Sequence, residues 1–195
     1  MTYEMKPLSC DPAKLKGLSE KLIVSHYENN YAGAVKRLNA ITAQLDALDF
    51  ATAPVFVING LKREELIASN SMILHELYFD NLGGGGEAAG VLRNALARDF
   101  GSVEKWTVQF SAIGKAIGGS GWVLLCYSQR DKKLLNQWAA DHTCHLAGAT
   151  PILALDMYEH SYHIDYGAKA AAYVDAFMQN IDWQKVAALF TNAAK

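Results

Sequence analysis

An α+β fold is what the pattern of this sequence predicts: an N-terminal helical hairpin packed on a C-terminal domain with a three-stranded antiparallel sheet and surrounding helices. Three observations carry that expectation. Apolar residues recur at helical spacing through the first half of the chain, the period shortens to that of strands after Gly118, and helical spacing returns near the C-terminus.

From Leu18 to about Phe50, Ala34, Leu38, Ile41, Leu45 and Leu48 fall three or four apart on one stripe, as in a long amphipathic helix or a broken pair. Pro54 and Asn59-Gly60 mark a loop. The stretch LKREELIASNSMILHELYFDNL then reads as a second long helix, closed by the glycines from Gly83 to Gly86. A third helix spans Glu87 to Phe100, and after Gly101-Ser102 a fourth contains Trp106, Phe110 and Ile113. GWVLLCYS and KLLNQWAADH, joined by the polar QRDK, form a hairpin, and PILALDMY supplies the third strand. An Ala-rich helix to Met178 follows, then a closing helix with Asp182 as its N-cap. Two domains are expected, 1–84 and 85–195, with a site between them.

Composition removes several function classes. With 51% hydrophobic residues in 195, the chain can fill a core, and its formal net charge of -2 gives no basic footprint for nucleic acid. The start, MTYEMKPLSC, has no basic segment followed by an apolar one, and no apolar run approaches the ~18 residues of a membrane span. A cytoplasmic protein with no membrane partner is expected. Cys10, Cys126 and Cys144 are odd in number and scattered, which fits reduced structural thiols.

Chemistry concentrates in DMYEHSYH, directly after the apolar run PILAL. Asp156 there sits where a buried strand ends, and a buried carboxylate must be paired, hydrogen-bonded or bound to a metal. His160 follows four residues later, while His26 and His75 each lie inside one long helix of the hairpin, flanked by apolar side chains. A site between the halves would collect three imidazoles and one carboxylate. Such a set, without thiolate, suits iron, manganese or zinc with a position left open. HTCH at His142 to His145 has no second Cys/His cluster at zinc-site spacing, and GGGGE lacks the ending of a phosphate loop.

The chain resembles the iron/manganese superoxide dismutases over nearly its whole length. Asp156-Met157-Tyr158-Glu159-His160-Ser161-Tyr162 is similar to that family's D-x-W-E-H signature, with Tyr158 in place of tryptophan. LSEKLIVSHYENNYAGAVKRLN, HELYFDNLGGGGE, GGSGWVLL and NIDWQKVAALF resemble its first metal helix, second metal helix with Gly-rich turn, first strand and closing helix, in that order. The resemblance implies dismutation of superoxide to dioxygen and hydrogen peroxide by one iron or manganese ion per subunit, with iron or use of either metal favoured. It implies His26, His75, Asp156 and His160 as ligands. It also implies a homodimer, in which Glu159 accepts a hydrogen bond from the partner's ligand histidine, with Tyr162 adding a contact.

Departures from the family pattern lie around the ligands. The glutamine that hydrogen-bonds the metal's solvent ligand in the family is absent, since its helix position is Ser71 and its strand position aligns with His142, whose N–H can take over that task. The gateway tyrosine position holds Ala34, and a histidine pair is replaced by Asn30 and Tyr31, which makes Tyr31 the substitute hydroxyl. Phe79 and Tyr158 stand where tryptophan is common, Trp122 is retained, and Lys169 is the nearest cation to a missing arginine. Two other readings remain at this stage: a metal-binding homologue without turnover, and a zinc hydrolase using the same cage.

Overall fold

The computed structural model describes residues 2–195. The first long helical stretch is one rod in three parts: α1 (Glu20–Ser25), a π-helical turn at His26–Tyr31, and α2 (Ala32–Asp46). Ser19 caps it by accepting from the Leu22 N–H, and Asp165 in turn accepts from the Ser19 N–H and hydroxyl. Leu22, Ile23, Val35, Leu38 and Ile41 make its buried face.

α3 (Val55–Asp80) returns antiparallel to α2, burying Ala68, Ser71, Met72, His75, Tyr78 and Phe79 at helical spacing. The expected loop at Asn59-Gly60 is not there: both residues lie inside α3, which starts directly after Pro54. Gly60 has open space around its Cα, so only its intrinsic penalty of about 1 kcal/mol opposes the helix, and a helix of this length absorbs it.

α4 (Gly90–Phe100) starts three residues later than expected and ends at Gly101, whose positive φ of 89° supplies the left-handed cap. α5 (Val103–Ala116) is capped by Ser102 and presents Trp106 and Phe110 to the core. The sheet follows, with β1 (Trp122–Ser128) between β2 (Lys133–Ala139) and β3 (Ala149–Asp156), both antiparallel to it. All seven residues of β1 are buried, as its unbroken apolar sequence requires of a central strand. β2 stops at Ala139, so His142 lies in the turn beyond it rather than on the strand. A short 3-10 turn (Glu159–Ser161), α6 (His163–Tyr166), α7 (Ala170–Met178) and α8 (Trp183–Ala193) complete the chain, with Asp182 capping α8 through the Gln184 and Lys185 amides.

Two joins matter for the site. Trp122 pairs with Asp156 across β1 and β3, so the carboxylate sits at the sheet's end beside an indole. The turn after α3 is tied to the start of α8 by the Leu82–Ile181 bridge, by the Gly83 N–H on the Asn180 carbonyl and by the Asp182 N–H on the Asn81 carbonyl.

Candidate metal centre

His26 opens the π-helical turn, His75 lies on the buried face of α3, Asp156 closes β3, and His160 is in the 3-10 turn four residues on. Local structure explains that last pair. The Tyr158 N–H donates to Asp156 Oδ1 (2.8 Å), and the Ser161 hydroxyl bonds the Asp156 and Tyr158 carbonyls, folding the chain back so that His160 Nε2 comes to 3.2 Å from Asp156 Oδ2. One potential ligand atom from each of the four residues lies within 4.8 Å of the other three.

The donor atoms are oriented for coordination. His75 Nδ1 lies 2.6 Å from the Ser71 carbonyl, which can only accept, so Nδ1 carries the proton and Nε2 presents a lone pair. His26 Nε2 is 3.2 Å and His75 Nε2 3.6 Å from Asp156 Oδ2, yet both nitrogens are buried without a hydrogen-bond partner. Orphaned buried nitrogens around one carboxylate oxygen cost free energy unless a cation meets them. The four residues therefore fit a metal ion.

Protonation agrees with that fit. Burial pushes His26 below its ordinary value and His75 down to about 3, so both stay neutral. Burial pushes Asp156 upward, but its hydrogen bond with His160 and the close approach of the His160 and His26 imidazoles outweigh this and hold it well below the carboxylate range. A carboxylate anion beside the neutral imidazoles of His26 and His75 is the state that metal binding requires.

Aromatic rings wall the group. Tyr78 and Phe79 lie 5.0 and 4.9 Å from His26, and Trp122 stands edge-on to His75 at 5.3 Å. The Trp122 N–H donates to His142 Nδ1 (3.0 Å), and Asn70 holds the His142 carbonyl. Burial lowers the pKa of the His142 imidazole. A cleft of about 320 Å³ lined by Asn30, Ala34, Arg37, Ser71 and His142, among others, runs between α2 and α3 toward this side chain.

The chain belongs to the iron/manganese superoxide dismutase family. Residues 88–189 match the family described as iron/manganese superoxide dismutases, C-terminal domain. The chain is 73% identical over 196 residues to a superoxide dismutase [Fe] of Cupriavidus metallidurans, covering 100% of both proteins. It is 34% identical to a superoxide dismutase [Mn] 2 of Haloferax volcanii, covering 100% of this chain and 98% of that one. A superoxide dismutase [Fe] of Aquifex aeolicus is also 34% identical, over 94% of this chain and 89% of its own length.

Other candidate residues of this superoxide dismutase fold are placed unevenly. Tyr31 is buried, and its hydroxyl accepts from the Lys6 N–H (2.9 Å) and donates to Glu76 (3.1 Å); Phe79 packs between its ring and His26. Burial pushes the Tyr31 phenol up to about 12. Its hydroxyl is thus engaged by the N-terminal segment. Asn30 is half-buried at the cleft, Glu159 is exposed, Tyr162 is buried against Tyr173, and Lys169 is exposed before α7. Sequence reasoning missed the Ser71 carbonyl that orients His75, although helical i−4 spacing pointed to it, and it missed the π-helical turn at His26, for which composition carries no signal.

Proposed function

We propose that this chain acts as a superoxide dismutase whose metal is held by His26, His75, Asp156 and His160. The carrying observation is the convergence of three imidazoles and one ionised carboxylate, with buried nitrogens that have no hydrogen-bond partner. A bound iron or manganese ion supplies one-electron chemistry, so that two superoxide anions and two protons become dioxygen and hydrogen peroxide. Asp156 provides the negative charge that favours the higher oxidation state, and the three histidines complete a donor set that both metals accept. The aromatic wall of Tyr78, Phe79 and Trp122 excludes water and fixes the imidazoles. The cleft between α2 and α3 admits the small anion, and His142 at its inner end, with Nδ1 taken by Trp122, offers an Nε2 proton toward the reacting centre. Tyr31 has no part in proton supply in this reading, because its hydroxyl is committed to Glu76 and Lys6.

Iron is favoured, with manganese as a working substitute; the relative at 73% identity is named for iron and others for manganese. The domain division at 84/85 belongs to the same reading, with ligands drawn from both sides of it. So does a cytoplasmic, antioxidant role, which the free state of Cys10, Cys126 and Cys144 suits. A homodimer completes it: His160 keeps 26% side-chain exposure beside exposed Glu159, a face that a second copy would cover. Glu159→Ala is expected to raise the dimer dissociation constant and lower metal retention, read by sedimentation and metal analysis; a tight, fully loaded dimer would rule the cross-subunit contact out.

The deciding experiment reconstitutes the protein separately with iron and with manganese and measures superoxide consumption and bound metal in the same samples. Turnover with either metal is expected. Full loading without turnover would leave a metal-binding homologue, and exclusive, colourless zinc loading of the native protein would point to hydrolysis.

A further inference from the structure

Tyr158 occupies a place that the reaction itself does not explain. Its ring stacks on His142 at 4.9 Å with an interplanar angle of 7°, and its other neighbour in the stack is His160, at 5.4 Å and 18°. The same His142 receives the Trp122 N–H on Nδ1. An indole nitrogen only donates, so Nδ1 must be bare and the neutral ring must carry its proton on Nε2. The stack restrains the plane of the imidazole, and the indole restrains its rotation within that plane.

We infer that Tyr158 is a positioning residue: by stacking between His160 and His142 it fixes the His142 ring, and with Trp122 it holds that ring in the Nε2-protonated tautomer. The inference rests on the reading that His142 serves turnover. It explains how a histidine can stand in for a glutamine here. A glutamine amide has a fixed donor, whereas an imidazole has two tautomers and needs outside contacts to choose one. His142 lies in a turn beyond β2, where the strand ladder no longer holds it, so ring contacts and the Asn70 bond to its carbonyl must do so. Stacked aromatic pairs of this geometry contribute directional preference beyond their buried area. The tyrosine ring thus links a ligand candidate to the proton donor through one continuous stack.

The test is nitrogen NMR of the full-length protein, labelled with 15N in its histidine rings and loaded with redox-inert zinc; His142→Gln assigns the signal. The parent is expected to show a protonated-type Nε2 and a bare-type Nδ1 for His142. Tyr158→Phe, which keeps the ring, should preserve that pattern, while Tyr158→Leu and Trp122→Phe should shift both nitrogens toward the averaged values of mixed tautomers. Tyr158→Met serves if Tyr158→Leu does not fold. An unchanged, single-tautomer signal in the ringless Tyr158 variants overturns the inference. Failure of the underlying reading gives a different result, undiminished turnover of iron-loaded His142→Ala, which the zinc spectra do not measure.

Discussion

The proposed site gives Asp156 and His142 different tasks, metal binding and proton supply, and single substitutions can separate them. Asp156 is fully buried, and its Oδ2 faces three imidazole nitrogens at 3.2 to 3.6 Å. Asp156→Ala removes the only anion of the donor set, so metal content of the purified protein is expected to fall to near background, read by elemental analysis. His142 is not one of the four donors, and it meets them through Trp122, Tyr158 and a tilted approach to the His75 ring at 6.1 Å, so His142→Ala should keep its metal and lose turnover by about 10–100-fold, the usual cost of removing an outer partner. Metal loss in His142→Ala would contradict that separation. The sequence exposes the first group better than the second. Asp156 and His160 are four apart after an apolar run, and His26 and His75 are on apolar helix faces, so spacing and burial alone assemble them. The stacking of Tyr158 on His142 depends on ring planes across a turn, which no spacing encodes. Tyr31 shows what spacing leaves out: its place in the replaced histidine pair suggested a hydroxyl for the site, and the structure adds that this hydroxyl bonds Glu76 and the Lys6 N–H.

At the scale of elements, the polar seams between helices and sheet are as decisive as the apolar faces. Asp99, at the end of α4, has a side chain only 6% exposed; it accepts from Arg98 and from the Leu134 N–H (2.7 Å), fastening the helix to β2. Burial pushes its carboxyl upward, but the Arg98 and Leu134 hydrogen bonds more than offset this and leave it below the ordinary value. A carboxylate depressed in the folded state adds stability that is present above the unfolded value of about 3.9 and is lost as pH falls through the folded one. Asp99→Asn should therefore cost about 1–2 kcal/mol near neutrality, after allowance for the exposed Arg98, and the gap to the parent should close as pH drops below about 4. Denaturant titrations at several pH values measure it, and a gap independent of pH would assign the effect to packing. Most elements were legible from periodicity, because a buried face repeats with the backbone. What periodicity hides is hydrogen-bond register: the stripe through Leu38 and Ile41 reads alike whether the helix is α throughout or carries the π turn at His26–Tyr31. Asn59-Gly60 misled because its turn chemistry is local, while a long helix packed on α2 sets the outcome.

For the whole molecule, the proposed ligand set is a joint between distant parts of the chain. His26 and His75 come from the helical hairpin, Asp156 and His160 from the end of the sheet, and no stretch of fewer than 130 residues contains all four. The order of helices and strands was legible, but their meeting point depends on the sum of contacts among α3, β3 and the turn tied to α8. An unfolded chain cannot hold such a site, so metal binding stabilises only the folded state, by about 4 kcal/mol when free metal exceeds its dissociation constant a thousandfold. For a domain of this size that corresponds to a rise in Tm of about 8–16 °C. Without the ion, the site keeps an ionised carboxylate among imidazoles whose buried nitrogens lack partners, a further reason for the metal-free form to melt earlier. Calorimetry of loaded protein and of protein stripped by a chelator should show that drop, and returning iron or manganese should reverse it. His26→Ala should melt at one temperature regardless of added metal. Equal Tm values for the loaded and stripped parent would mean that the four residues do not act as a joint, whatever ion they hold.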